Sequence, residues 1–139
     1  MIQRDIIQQQ IEQLGRALGK IITGFLGLKT AGNVMEGFRV ANQQFKKALD
    51  IDIDQLLEMD KALLTDYLKD KHFTSTHLAE IASYVEVLGD HQSDNAAKTN
   101  AFGTALNLME LANEQSEVFD MNRQFKLHQL EKKIRDKKF

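Results

Sequence analysis

Apolar residues recur along the N-terminal segment in alternating steps of four and three positions, forming a seam made of Ile7, Ile11, Leu14, Leu18, Ile21 and Phe25. Because an α-helix turns once in about 3.6 residues, this spacing places all six side chains on one face of a helix. The helix is predicted over residues 3–28. A face of this length needs partner helices, so the chain is predicted to be built by packing helix on helix.

Further helices are predicted where apolar residues at helical spacing follow residues that cap helices. Their starts are expected near Val34, Gln55, Thr74 or Ser75, Ser93 or Asp94, and Ser116. In the last helix the side chains expected to face the interior are Val118, Met121, Phe125, Leu130 and Ile134. Sustained two-residue alternation is missing, so no sheet is predicted. The pattern therefore predicts an all-α fold of about six antiparallel helices, arranged as stacked hairpins or as an irregular bundle.

The predicted first helix carries two signs of a further packing partner. Its apolar positions, which also include Ile2, Ile6, Ile22 and Leu26, cover more than one stripe. It also contains Gly15, Gly19, Gly24 and Gly27. Each glycine costs up to about 1 kcal/mol relative to alanine, so we expect a second backbone to approach closely there. The seam is therefore a candidate contact with a partner protein or with a second copy of the chain.

Length and composition favour a single soluble domain over residues 1–139. The formal net charge of −2 provides no overall attraction to nucleic acid or to an anionic membrane. The chain has no cysteine, which excludes disulfides, thiolate nucleophiles and zinc knuckles. The polar N-terminus does not resemble a signal peptide, and the apolar stretch over residues 21–28 is too short to span a membrane. A cytoplasmic location is expected.

A weak internal repeat appears when the chain is shifted by 64 positions. Phe38, Ala41, Phe45 and Ala48 then coincide with Phe102, Ala105, Met109 and Ala112. Two amphipathic helices can also match in this way without being repeats, and both interpretations stay open. The Ala41-x-x-x-Phe45-x-x-Ala48-Leu49 pattern resembles the second helix of the tetratricopeptide repeat. The resemblance implies a tetratricopeptide-like fold of helical hairpins.

A second resemblance is confined to residues 7–18, which read Ile-x-x-x-Ile-Glu-Gln-Leu-Gly-Arg-Ala-Leu. This segment is similar to the N-terminus of a family of small uncharacterised bacterial helical proteins. The resemblance implies a bacterial source and an unknown role, and it transfers no catalytic residue.

Residues that could carry chemistry have simpler explanations. Asp50, Asp52 and Asp54 occupy the first, third and fifth places of a calcium loop, but the required glycine and glutamate are replaced by Gln55 and Lys61. Helix capping explains the three aspartates. The four histidines, His72, His77, His91 and His128, lack the spacing of a helix-borne zinc site. Three of them lie close to predicted turns, where exposed positions are expected. We therefore predict no catalytic residue, no cofactor and no metal.

The C-terminal segment over residues 131–139 is basic. Its candidate anion contacts are Lys132, Lys133, Arg135, Lys137 and Lys138. Positive side chains at a helix C-terminus are also favoured by the helix dipole, by about 0.3–1 kcal/mol each. From these patterns we predict a non-catalytic module for protein–protein interaction or scaffolding. The alternative is binding to nucleic acid or to an anionic surface through the basic C-terminal helix.

Overall fold

The structure is a computed structural model that describes residues 2–116 and 118–136, with side chains from residue 5 onward. Seven helices occur in these residues: α1 (Ile2–Thr30), α2 (Val34–Leu49), α3 (Ile53–Leu56), α4 (Lys61–Leu68), α5 (Ser75–Asp90), α6 (Asn95–Gln115) and α7 (Met121–Asp136). None of the residues described lies in a β-strand, so the all-α prediction is confirmed. No helix in this part of the chain combines the length and apolar character needed to cross a lipid bilayer.

Capping residues start two of the helices where the sequence predicts. The Thr74 side chain accepts a hydrogen bond from the His77 backbone N–H at 3.3 Å and begins α5. The Asp94 side chain accepts from the Ala97 N–H at 3.3 Å and begins α6. The predicted turn between the first two helices is also present, with Gly32 at a φ of 84°. This left-handed backbone favours glycine because it lacks a Cβ atom.

The predicted third helix is divided into two. After the one-turn helix α3, residues 57–60 leave the helical conformation, and α4 starts at Lys61. The Asp60 carboxylate accepts a hydrogen bond from the Leu63 N–H at 2.9 Å and caps the new helix. Apolar spacing alone does not reveal this break, because Leu56 and Leu64 are both buried on either side of it.

The last helix also begins later than predicted, at Met121 instead of near Ser116. The Ser116 side chain bonds to the backbone of Val118, and the Asp120 carboxylate accepts from the N–H groups of Asn122 and Arg123. These local bonds satisfy backbone groups outside a helix, as capping side chains do.

The contacts divide the chain into two compact units, Met1–Gln55 and Leu56–Phe139, and the single-domain expectation stays a prediction. In the first unit α1 and α2 form a hairpin, with the rings of Phe25 and Phe38 centred 4.9 Å apart. The buried apolar side chains of this hairpin are Leu18, Ile21, Phe25, Phe38, Ala41, Phe45 and Leu49.

In the second unit α6 packs against both α5 and α7, while α4 also contacts α6. The residues of α6 that are almost fully buried are Ala101, Phe102, Ala105, Leu108, Met109 and Ala112. The hydroxyl of the buried Thr104 donates to the Leu56 carbonyl at 3.2 Å. α6 is therefore the helix on which both α5 and α7 pack.

The glycines at which two helices pack closely are not the ones that the sequence predicts. A Cβ atom added at Gly19, Gly24 or Gly27 would meet nothing within 4 Å among the residues described, so the chain itself makes no close approach there. The close contacts instead lie at Gly37, where the added atom would be 3.1 Å from Phe25, and at Gly89. The contact at each glycine depends on helix register, which the sequence does not show.

A candidate binding groove between α5 and α7

Four large apolar side chains are exposed around the start of α7. Their exposed fractions are 73% for Val118, 72% for Phe119, 76% for Met121 and 64% for Phe125. We call these four residues the apolar patch. The expectation that Val118, Met121 and Phe125 face the interior is therefore wrong, although Leu130 is buried as predicted. Contiguous exposed apolar residues of this kind are typical of interaction sites.

The face that α7 turns inward explains why the patch points to solvent. Its buried residues are Leu127 and Leu130, and Ile134 is half-buried at the same helical spacing. Met121 and Phe125 lie on the opposite side of the helix, because each position advances the side chain by about 100°. The Arg123 side chain fixes this orientation by donating to the Asn113 side chain at 2.8 Å and to the Val118 carbonyl at 2.7 Å.

Phe125 of the patch also lines a cavity of about 720 Å³ on the face formed by α5 and α7. We call this cavity the α5–α7 groove. It is lined by Glu86, Phe125, Lys126, His128, Gln129, Lys132, Lys133 and Asp136. Phe125 belongs to both the patch and the groove and links the two features. A volume of this size is ordinary for a ligand or peptide site.

A buried carboxylate crosses the groove from α5 to α7. Glu86 is 7% exposed, and its oxygens lie 3.5 Å from the Lys126 Nζ and 2.8 Å from the Lys133 Nζ. The Lys133 Nζ also lies 2.9 Å from a carboxylate oxygen of Asp90 and 4.9 Å from the centre of the Phe102 ring. A buried charge is tolerated when it is paired in this way. The cluster therefore connects α7 to α5 next to the Phe102 ring of α6.

The negative charges of Glu86 and Asp90 stabilise the protonated form of Lys133. Burial acts to lower the pKa of Lys133, but hydrogen bonds from its ammonium to Glu86 and Asp90, together with their charges, outweigh burial and raise that pKa. Lys133 thus stays protonated at neutral pH, and its positive charge compensates the negative charge of the Glu86 carboxylate. The cluster contributes to structure and sets the charge of the groove wall.

Of the five residues predicted to contact anions, the three that the structure describes lie in different surroundings. Lys132 is exposed on the groove wall, whereas Lys133 is held by the two carboxylates. Arg135 is exposed, with its Nε 3.9 Å from Asp136. Lys137 and Lys138 lie outside the described residues. Of the three residues that the structure describes, Lys132 and Lys133 line the groove and Arg135 does not.

The predicted seam of α1 is divided between core and surface. Leu18, Ile21 and Phe25 are buried, Ile11 and Leu14 are half-buried, and Ile7 is 42% exposed. Its exposed part thus begins where α1 extends past the end of α2.

The polar residues considered for metal or acid–base chemistry have local roles. The Asp52 carboxylate accepts from the Gln55 N–H at 3.2 Å at the start of α3, and Asp50 ends α2 with a φ of 54°. His77 is buried, against expectation, because its ring Nδ1 accepts from the Thr74 N–H at 3.2 Å in a capping box. Among the described residues no three His, Asp or Glu side chains are grouped so that they could hold a metal ion.

Sequence reasoning missed Phe119, Lys126 and Glu86 as parts of one surface. The available signal is the cluster of large apolar residues before and inside a strongly basic helix, although the spacing of these residues predicts a buried stripe. No family model, curated protein or solved structure matches this chain. The tetratricopeptide-like and bacterial-family resemblances therefore stay predictions.

Proposed function

We propose that this protein is a non-catalytic protein-binding module that takes up a partner helix in the α5–α7 groove. The observation that carries the proposal is the apolar patch, in which four large side chains are 64–76% exposed and one of them, Phe125, also lines the groove. Exposing such side chains costs free energy that burial against a partner would recover, at about 25 cal/mol per Å² of apolar surface. Binding of an amphipathic helix in a groove between two helices is a common mode of recognition.

The architecture of the second unit supports a helical partner. α5 and α7 both pack on α6 and are joined by the ion pairs of Glu86, so a further helix lying over the outside of the α5–α7 groove would complete a four-helix arrangement. Phe125 would serve as an anchor, since aromatic residues at the centre of an interface carry much of the binding free energy. Glu86 is engaged by Lys126 and Lys133, which favours a structural role for this carboxylate over a role in acid–base chemistry.

A quantitative affinity purification tests the proposal. The full chain is compared with the double variant Met121→Ser/Phe125→Ser and with Leu63→Ser, whose side chain is 56% exposed on α4. Because all three side chains are exposed, the variants should keep the fold, which circular dichroism verifies. We expect a set of proteins that the patch variant loses and the Leu63→Ser control retains. Identical sets for all three proteins would contradict the proposal.

Homodimerisation through α1 is a second candidate, favoured by the length of this helix. It has 29 residues against 16 in α2, so at about 1.5 Å per residue it extends about 20 Å beyond its partner. Ile6 and Ile7 are 48% and 42% exposed in the extended part. Sedimentation at increasing concentration should detect a dimer that Ile7→Glu weakens. A monomer at all concentrations would eliminate this candidate.

Binding to nucleic acid or to an anionic surface is the remaining alternative. It predicts affinity that falls steeply with salt and that depends on Lys132 and Arg135. The groove also contains the carboxylate of Asp136, which would repel a polyanion. Titration of RNA, DNA and anionic vesicles into the chain and into Lys132→Gln/Arg135→Gln tests this alternative separately.

A further inference from the structure

We infer that the groove selects a protein helix with its apolar and acidic residues segregated, so that apolar side chains cover Met121 and Phe125 while acidic side chains meet Lys132. This inference rests on the proposed function and specifies the chemistry of the partner. It follows from the order of residues along the outward stripe of α7. Met121 and Phe125 lie at the start of the stripe, and Lys132 lies two to three turns further on.

The charge of α7 gives the preference for an acidic partner. The helix contains five basic and two acidic residues. Lys126 and Lys133 are paired with Glu86, but Lys132 forms no ion pair within the described part of the chain, although it lines the groove and is exposed. An acidic residue of a partner would therefore find an unpaired cation there. Complementary charges of this kind chiefly determine specificity and the rate of association.

The geometry sets the spacing of the partner residues. Met121 and Lys132 are eleven positions apart in one helix, which corresponds to about 16 Å along its axis. A helix lying alongside α7 must therefore carry its apolar anchor and its acidic residue about three turns apart. Scattered acidic residues would instead come close to Asp136 or Glu86 at other points of the groove.

The shape and charge of the surface favour a protein helix over a lipid bilayer. Phe125 and Lys132 line a cavity of about 720 Å³ that a partner side chain can enter, whereas an interfacial membrane helix lies in the plane of the lipid surface. The Asp136 carboxylate lines the same groove and would oppose an anionic headgroup layer.

An unbiased selection tests the inference without knowledge of the natural partner. A phage library of random helical peptides, each about 18 residues long, is selected on the full chain and counter-selected on Met121→Ser/Phe125→Ser. We expect enriched peptides with apolar residues at one end and Asp or Glu about three turns away. Selection on Lys132→Glu should replace the acidic residues by Lys or Arg, whereas selection on the surface control Met35→Ser should reproduce the wild-type consensus.

The other outcomes separate the two proposals. The inference would be overturned by patch-dependent peptides that are not enriched in acidic residues. It would also be overturned if the peptide consensus selected on Lys132→Glu were the same as the wild-type consensus. Both outcomes would leave the protein-binding proposal standing. The absence of any patch-dependent peptide would overturn both. Patch-dependent binding to phosphatidylserine vesicles without peptide enrichment would assign the surface to a membrane instead. For a selected acidic peptide, we expect Lys132→Glu to weaken binding about tenfold or more.

Discussion

Gly89 on α5 lies directly against Phe102 on α6. A Cβ atom built at Gly89 would be 2.8 Å from Cε1 of Phe102 and 3.0 Å from the Cβ atom of Ala101. Phe102 is 1% exposed, so its ring lies in the core and not at the surface. We therefore expect Gly89→Ala to lower the free energy of unfolding by about 1–3 kcal/mol, as overpacking of a core does. Urea denaturation followed by circular dichroism measures this change.

Gly103→Ala is the matched control for this prediction. Gly103 lies in α6 next to Phe102, but a Cβ atom added there would meet nothing within 4 Å among the described residues. Alanine is favoured over glycine in a helix by about 0.5–1 kcal/mol, so this variant should be at least as stable as the wild type. If both substitutions destabilised the protein equally, the helix contact at Gly89 would not be the cause of the stability loss in Gly89→Ala.

The sequence predicts the local features of the fold better than contacts between helices. The caps at Thr74 and Asp94 were predictable because a capping side chain binds backbone groups only two or three positions away. The contact between Gly89 and Phe102 depends on how far one helix slides along the other. Helical spacing indicates which residues share a face but not their register with the next helix.

Gly24→Ala tests whether the uncovered glycines of α1 contact another molecule. Gly24 is exposed, and an added Cβ atom would meet nothing within 4 Å in the described part of the chain. For an isolated chain we expect stabilisation by about 0.5–1 kcal/mol, because alanine restricts the unfolded backbone more than glycine does. Thermal unfolding at low protein concentration measures this effect. A loss of stability that grows with concentration would instead indicate a second copy packed at this glycine.

Removing the charge of Glu86 should destabilise the second unit. In Glu86→Gln the side chain keeps its shape, but the ammonium groups of Lys126 and Lys133 lose their shared counter-charge. Both lysines remain partly exposed, so water limits the penalty. We expect a loss of about 1–3 kcal/mol in the free energy of unfolding, measured by urea denaturation.

Glu114→Gln provides the comparison for Glu86→Gln. The Glu114 carboxylate also lies close to a lysine, 2.6 Å from the Lys61 Nζ, but its side chain is 58% exposed. An exposed pair of this kind contributes about 1 kcal/mol or less. If the two variants lose the same stability, then burial of Glu86 is not what makes its ion pairs important.

The candidate site was only partly predictable from the sequence. The basic excess at the C-terminus identified Lys132 and Lys133, because charge is visible in composition. The apolar patch was assigned to the wrong side of the helix, since Met121 and Phe125 have the same spacing as a buried stripe. The inward face is set instead by Leu127 and Leu130, which fit against α6. Two apolar stripes on one helix cannot be distinguished by periodicity alone.

His77 should make the stability of α5 depend on pH. Burial lowers the pKa of His77, although the charge of Glu80 acts in the opposite direction. The unprotonated ring Nδ1 also accepts the hydrogen bond from the Thr74 N–H, which a protonated ring cannot do. In the unfolded chain a histidine has a pKa of about 6.5, so near and below this pH the unfolded state binds more protons than the folded state.

Stability is therefore expected to be full above about pH 7 and to fall as the pH decreases through 6.5 toward the lowered pKa of folded His77. Urea unfolding between about pH 7.5 and about pH 5.5 measures this fall before most carboxylates titrate. His77→Gln should flatten the dependence, because glutamine does not titrate and its carbonyl can accept the same capping hydrogen bond. His128→Gln, at a side chain that is 77% exposed, should leave the dependence unchanged. If His77→Gln retained the wild-type pH profile, the acid sensitivity would have to arise from another group.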